Sequence, residues 1–360
     1  MVTTPGANAV PRAGRHNDLT DVDGLCVGHS QRVGDGALTG TTVVLGPAGG
    51  MVTAVDVRGG GPATRETDAL VPGSLVPTIE AVVLTGGSAY GLDAVSGVVS
   101  WLEEQHRGVP VGPDPGHVVP VIPAAALFDL GRGGAFTVRP DPELGRQAVE
   151  NAGSGPLDQG NVGAGTGAVA GGIKGGIGSA STVLPSGLVV AALVAVNAHG
   201  SPREPETGAL RGASSLGLSE EFPSRSPEAA EHERAESRLA RAGTATMQPL
   251  NTTIGVVATS GDLDRAEAHR VAVAAHDGLA RAMAPAHTLY DGDTLFTAAT
   301  GMTPLPTDPT RRIPALAELH ASAADTVTRA VVHAMLNAAS VTTTGGEYLC
   351  YRDLYPEATR

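Results

Sequence analysis

Along the chain, short apolar runs alternate with glycine turns, a pattern that favours strands over continuous helix. The first 17 residues are polar and expected to be a flexible N-terminus; the patterned body starts at Leu19-Thr20-Asp21-Val22. Residues 41–45, 52–57 and 81–84 are strand-length runs rich in Val, Thr and Leu. Between residues 92 and 104 the period changes, and Val95, Val98, Val99 and Leu102 recur at helical spacing. Residues 118–128 read as a buried strand region interrupted by Pro120 and Pro123. The stretch 160–181 is too dense in glycine for a regular helix, which leaves a loop or a strand pair whose backbones approach closely. The run 188–196 is almost wholly aliphatic, predicts a buried strand and ends at Asn197.

Composition then shifts. Residues 201–241 are dense in Glu, Arg, Ser and Pro, which predicts a mobile linker reaching to about residue 246, with an exposed helix over 228–242. This tether stops just short of Asn251, where the β-branched run 251–259 begins. Residues 263–283 predict an amphipathic helix with Ala266, Val271, Ala274 and Leu279 on or near one face. The turn Asp291-Gly292-Asp293 precedes a short strand over 294–298; a proline-rich loop (304–314) and a long helix (315–340) follow. Alternating strands and helices predict an α/β fold of layered sheets.

Composition narrows the picture. With 360 residues, 41% of them hydrophobic, the chain can bury a substantial core. Only 3% are aromatic while 49 are glycine, so that core must pack through small side chains and close backbone approach. A net charge of −13 repels phosphate backbones and argues against nucleic-acid partners. Two cysteines, Cys26 and Cys350, exclude a disulfide scaffold and a cysteine-rich zinc site. Arg12 and Arg15 are not followed by an apolar run, and no 18-residue apolar window occurs; the expectation is a cytoplasmic protein with no membrane partner.

Most local motifs fail on spacing. Gly165-Thr-Gly167 lacks the third glycine of a dinucleotide fingerprint, because Ala170 occupies that place. In the run Gly167–Gly172 a phosphate loop would need lysine next, where Ile173 stands; Lys174 is one residue late. In Gly87-Ser-Ala-Tyr-Gly91 the glycine follows the serine by three positions, not two, so the nucleophile elbow is absent. The eleven histidines are scattered without metal-ligand spacing, and no metal or cofactor is expected; His199 and His287 read as structural or surface residues. What remains is Asn251-Thr252-Thr253 entering a strand, with Asp291-Gly-Asp293 downstream. Separately these are an ordinary strand start and an ordinary tight turn.

Together with Leu19–His29, Arg65–Asp68, Leu84–Asp93, Pro123–Leu130 and Gly160–Gly165, and with the extended matches Asn251–Ile254 and Asp291–Phe296, they form an ordered set. That set resembles the self-processing peptidases that include L-aminopeptidase/D-esterase, the β-peptidyl aminopeptidases and the nylon-oligomer hydrolases. The resemblance runs from Leu19 to about Ser340. It implies an αββα sandwich of the N-terminal-nucleophile type and self-cleavage at Asn251–Thr252. Residues 18–251 would form the larger subunit and 252–360 the smaller, both within one domain and associated as a homo-oligomer, a tetramer of cleaved protomers. By position, Thr252 matches the nucleophile, Asp291 and Asp293 the pair beside it, and Asn197 the oxyanion asparagine. Two departures concern the substrate side: Gly172 stands where several relatives carry lysine, with Lys174 two residues on, and Phe128 stands where the nylon hydrolases carry tyrosine. Tyr90, Lys174 and Phe128 are the substrate-binding candidates, with Tyr290 a further source of a phenol.

The chemistry implied is coherent. A threonine hydroxyl needs a base, and a free α-amine, with a pKa of about 7.7–8.0, supplies one on the same residue once the preceding peptide is cut. Asp291 and Asp293 are expected to orient that amine or hydroxyl and the neighbouring groups, and Asn197 to donate to the tetrahedral oxyanion. The expected substrate is a small amide or peptide. The competing readings are an acyltransferase of the ornithine acetyltransferase type and a non-enzymatic oligomeric binding protein.

Overall fold

The computed structural model describes residues 10–216, 221–222, 225–242 and 250–360. Ten strands form two five-stranded sheets. The first sheet takes β1 (Cys26–Gly34), β2 (Ala37–Leu45), β4 (Ala63–Arg65), β5 (Ala81–Thr85) and β6 (Ala124–Ala126) in the order β1-β2-β5-β6-β4. The second takes β3 (Val52–Val57), β7 (Ile177–Val183), β8 (Val189–Ala195), β9 (Ile254–Gly261) and β10 (Thr294–Thr303) in the order β7-β8-β9-β10-β3.

The sheets stack face to face, with Val44, Val82 and Leu84 of the first against Leu193, Val256 and Phe296 of the second. Helices α1 (Ala94–Glu104) and α2 (Pro142–Glu150) cover the outer face of the first sheet through Val95, Val98 and Ala148 on Val43 and Val83. Helices α4 (Arg265–Ala282) and α5 (Pro309–Asn337) cover the second, packing Val271, Leu279, Val327 and Val331 on Val194 and Val257. This is the αββα sandwich. Strands β8 and β9 are buried on both faces, which is why they read as unbroken apolar runs. The scarcity of aromatics has its counterpart in the crossing of α1 and α2: a Cβ on Gly97 would lie 1.8 Å from the Pro142 carbonyl oxygen, and one on Gly145 1.8 Å from that of Ala94.

Several expectations need correction. Strand β1 is an edge strand of mixed polarity that periodicity alone does not reveal; it pairs with β2 through a two-residue Asp35-Gly36 turn in which both residues have positive φ. Helix α5 starts within the predicted loop: Asp308 caps it, accepting from the Thr310 N–H at 3.0 Å, and Pro309 fills the first position, where no donor is needed. Pro314 then removes only one hydrogen bond, on an exposed turn. The glycine-dense stretch is both things at once, a loop and then a hairpin (Val169–Ala170 with Ile173–Lys174) leading into β7.

Parts of the N-terminal segment and of the 201–246 segment make long-range contacts. Arg12 bridges to Val183 on β7, and Asn17 Oδ1 accepts from Arg329 at 2.7 Å. Ser201 exchanges backbone hydrogen bonds with Ala284, and Arg203 donates to Glu236 (2.6 Å) and to the Tyr355 hydroxyl (2.7 Å). These contacts fix helix α3 (Ala229–Ala242) against the C-terminal turn. The remaining linker positions, 217–220, 223–224 and 243–246, lie outside the described residues, as do residues 1–9. Among the described residues no helix is long and apolar enough to cross a membrane.

Candidate active site

Topology brings the sequence-predicted residues to one edge of the second sheet. Strand β8 runs antiparallel to β9 with Ala195 opposite Ile254, so Asn197, just past β8, lies beside Thr252, just before β9. Strand β10 runs parallel to β9 with Ile254 opposite Thr294, which delivers Asp291 and Asp293 to the same edge. Strand β3, antiparallel to β10, ends there too, and its Arg58–Gly61 extension is pinned by the Asp291 and Asp293 carbonyls.

Thr252 is 4% exposed. Its backbone N–H donates to the Asn197 carbonyl at 2.5 Å, and its hydroxyl donates to the carbonyl oxygen of Asn251, the peptide immediately before it. That same carbonyl accepts from the Gly292 N–H at 3.1 Å. Glycine is required at 292, since a Cβ there would stand 2.8 Å from the Thr252 hydroxyl oxygen.

Both aspartates are buried, and in the continuous chain neither hydrogen-bonds to the Thr252 hydroxyl. Asp291 accepts from the His199 N–H (2.9 Å), the Thr288 N–H (3.0 Å) and the Thr288 hydroxyl (2.6 Å). Asp293 accepts from the Thr253 N–H (2.8 Å) and, on its other oxygen, from the N–H of His287 (3.2 Å), whose Nδ1 stands 2.8 Å away. The Asp293 carboxylate therefore holds the backbone just after Thr252, while Asp291 ties the backbone at His199 to the turn at Thr288. His287, read from sequence as structural or surface, is wired to Asp293 and reaches it from a left-handed backbone, with φ of 57°.

Asn197 is fully buried. Its Oδ1 accepts from Arg132 Nη1 and from the Val169 N–H (3.0 Å), while its Nδ2 donates to the Phe128 carbonyl at 3.2 Å. Arg132 went unnoticed in the sequence because Gly131-Arg-Gly-Gly134 reads only as a turn; its Nη2 also donates to Asn251 Oδ1 at 3.1 Å.

The substrate-binding candidates fare differently. Lys174 is fully buried and donates to the carbonyls of Gly165 (3.0 Å), Ala168 (3.0 Å) and Gly175 (2.7 Å), so it braces the glycine-rich segment and is not free for a substrate. Burial, aided by the nearby Arg132 cation, pushes its pKa down to about 7. Phe128 contributes its backbone carbonyl to Asn197. Tyr90 is 56% exposed, stacked 3.5 Å from the Arg139 guanidinium, with no hydrogen bond to Thr252, Asn197 or the aspartates among the described residues.

The chain is similar to known proteins at several levels of identity. Peptidase family S58 matches residues 17–349. An uncharacterised aminopeptidase of Mycobacterium tuberculosis (strain ATCC 25618 / H37Rv) is 45% identical over 356 residues, 95% of this chain and 99% of its own. A 6-aminohexanoate-oligomer endohydrolase of Kocuria sp. (strain KY2) is 31% identical over 309 residues, 83% of this chain and 79% of that relative. The solved L-aminopeptidase D-Ala-esterase/amidase of Ochrobactrum anthropi, described as a variant of the Ntn hydrolase fold, aligns with a TM-score of 0.69 at 22% identity, covering 95% of this chain and 93% of that one.

Proposed function

The chain belongs to peptidase family S58 and is a hydrolase acting on amide bonds, and on that footing we propose that it cuts its own Asn251–Thr252 peptide and then uses Thr252 as an N-terminal nucleophile. One observation carries the reading: the Thr252 hydroxyl lies against the carbonyl of its own preceding peptide, which the Gly292 N–H also engages. In the first reaction Oγ attacks the Asn251 carbonyl carbon, the C–N bond breaks with the hydroxyl proton ending on the Thr252 nitrogen, and the acyl group is left on Oγ as an ester. Water hydrolyses the ester, leaving a carboxylate on Asn251 and a free α-amine on Thr252. Throughout, the Gly292 N–H stabilises the charge developing on the carbonyl oxygen.

The new amine stays where its N–H already sits, held by the Asn197 carbonyl. It takes the proton from Oγ as the hydroxyl attacks a substrate amide, and returns it to the leaving amine. The Asn197 Nδ2 group carries two hydrogens, of which Phe128 takes one; the second serves the oxyanion. Asp293 keeps Thr253 in register with the donors, and Asp291 fixes the backbone of His199, two residues past Asn197. Water then releases the acyl group. The substrate is a linear amide: the aminopeptidase name of one relative supports cleavage beside a free amino end, and the 6-aminohexanoate-oligomer endohydrolase name of another supports cleavage within an oligomer. Those names lend nothing to the acyl-transfer alternative.

Denaturing electrophoresis with N-terminal sequencing tests this. Pieces spanning 1–251 and 252–360 are expected, the second starting Thr-Thr-Ile-Gly, with one uncut, inactive chain for Thr252→Ala. Wild-type protein that hydrolyses amides as a single chain would sink the reading. A panel of aminoacyl p-nitroanilides and a 6-aminohexanoate oligomer then separates the substrate types.

A further inference from the structure

Arg132 stands beside the proposed scissile bond with an unusual set of partners. It sits in the tight turn after β6, where its N–H donates to the Asp129 carbonyl (3.2 Å) and its own carbonyl accepts from the Thr343 hydroxyl (2.6 Å). The turn is thus clamped from both sides. Every acceptor of its guanidinium is neutral: the Gly167 carbonyl (2.6 Å), Asn197 Oδ1, and Asn251 Oδ1 (3.1 Å). Among the described residues it makes no ion pair; Asp129 lies near, but its Oδ1 takes the Gly87 N–H at 2.7 Å. Arg132 is partly buried with the Asp129 carboxylate as a nearby counter-charge, yet two of its hydrogen bonds go to the asparagines on either side of the proposed chemistry, Asn197 and Asn251.

We propose that Arg132 is a positioning residue that fixes and polarises Asn197, the oxyanion donor, and holds Asn251 in place for self-cleavage. The proposal rests on the reading that Asn197 serves the oxyanion. With Arg132 Nη1 and the Val169 N–H both aimed at one atom of the Asn197 amide, that atom must be oxygen, because a flipped amide would set its NH2 against two donors. The flip is thereby settled and Nδ2 is turned to the donor side. A positive group hydrogen-bonded to an amide oxygen also draws electron density from the nitrogen, making its remaining N–H a stronger donor. Of the two reactions proposed for this site, turnover draws on that N–H. Only self-cleavage uses the second arm, on Asn251.

Arg132→Gln and Arg132→Lys, made in the full-length chain, test this. Self-cleavage is followed as the appearance of the two pieces, and turnover is measured on the cut fraction. Arg132→Gln is expected to slow both, lowering kcat by between about 10-fold and the 1,000-fold seen when an oxyanion donor is lost outright, with KM changed less than about threefold. Arg132→Lys keeps the charge but not the fork, so it restores part of the turnover and less of the self-cleavage. The decisive measurement is a double-mutant cycle: Arg132→Gln added to Asn197→Ala should lower kcat no further, since the group it acts through is gone. Multiplying effects would overturn the proposal, as would wild-type rates in Arg132→Gln. A merely structural residue would lower the melting temperature and multiply. Should Arg132→Gln fail to fold, the same cycle is run with Arg132→Lys. Thr252→Ala keeps the two ideas apart: if that variant is cut and active, the nucleophile reading fails, whereas Thr252-dependent activity that ignores Arg132 overturns this proposal alone.

Discussion

Asp293 spends one oxygen on the Thr253 N–H and the other on His287, so the strand entry carrying Thr252 is only as rigid as this carboxylate. Behind His287 lies His276, fully buried, with ring centroids 4.8 Å apart; burial pushes the His276 pKa down to about 4, so that ring stays neutral at ordinary pH. His287→Asn keeps a residue that tolerates the left-handed backbone while removing the imidazole. It is expected to lower kcat by about 10–100-fold, the rate equivalent of one hydrogen bond to a charged group, with folding intact by circular dichroism. An unchanged kcat would remove His287 from the support of the site. Lys174 gives a second test at this scale. Its folded pKa of about 7 lies below the ordinary 10.5, so between those values the unfolded chain holds a proton the folded chain has lost. Stability therefore rises with pH across that window, by up to about 1.4 kcal/mol per pH unit. Lys174→Met cannot titrate, so the difference in unfolding free energy, wild type minus variant, should grow from pH 7.5 to 9.5 in urea titrations. A flat difference would mean that the three carbonyl acceptors keep the ammonium charged in the fold.

At the level of elements, close backbone approach replaces large side chains, and this makes the α1–α2 crossing intolerant. Gly97→Val puts its first added carbon where the Pro142 carbonyl oxygen stands, and no side chain can yield there. A loss of about 3 kcal/mol or more in unfolding free energy is expected, read as a lowered urea midpoint and at or beyond the usual range for overpacking a core; a midpoint within error of wild type would show that the helices separate freely. The same economy explains what could be read in the sequence. Strands β8 and β9 announced themselves because burial on both faces leaves mostly apolar residues, and with them came the positions of Asn197 and Thr252 at their ends. Strand β1 stayed hidden because an edge strand carries His29, Gln31 and Arg32 without clean alternation, although Asp35-Gly36 was a usable turn signal. The start of α5 was missed because two prolines suggested a loop, when one of them fills a capping position. Arg132 had no signal at all, because its partners are distant in sequence or are backbone atoms, which no spacing rule records; His287 and Thr288 sit close in sequence to the aspartates they hold, but no motif marks that spacing.

For the molecule as a whole, the proposed cut falls within the second sheet. Strands β7, β8 and β3 would belong to the piece 1–251, and β9 and β10 to the piece 252–360. Because the order is β7-β8-β9-β10-β3, the two strands of the smaller piece are flanked on both sides by strands of the larger. Separating the pieces means breaking the β8–β9 ladder, from Val190–Thr259 to Ala195–Ile254, and the β10–β3 ladder, from Thr294–Val57 to Ala299–Val52. It also strips α4 and α5 from the core they share with β7 and β8. The cut protein should therefore elute as one body under native conditions and come apart only on unfolding. Unfolding would then be coupled to dissociation, so its melting temperature should fall on dilution, by mass action, while the uncut Thr252→Ala chain loses no second piece. Comparing the two across a hundredfold range of concentration cancels any contribution from homo-oligomer contacts, which both share. Equal concentration dependence would show that the pieces do not part when the fold is lost, and two peaks in native size exclusion would show that the interleaved ladders do not hold them together.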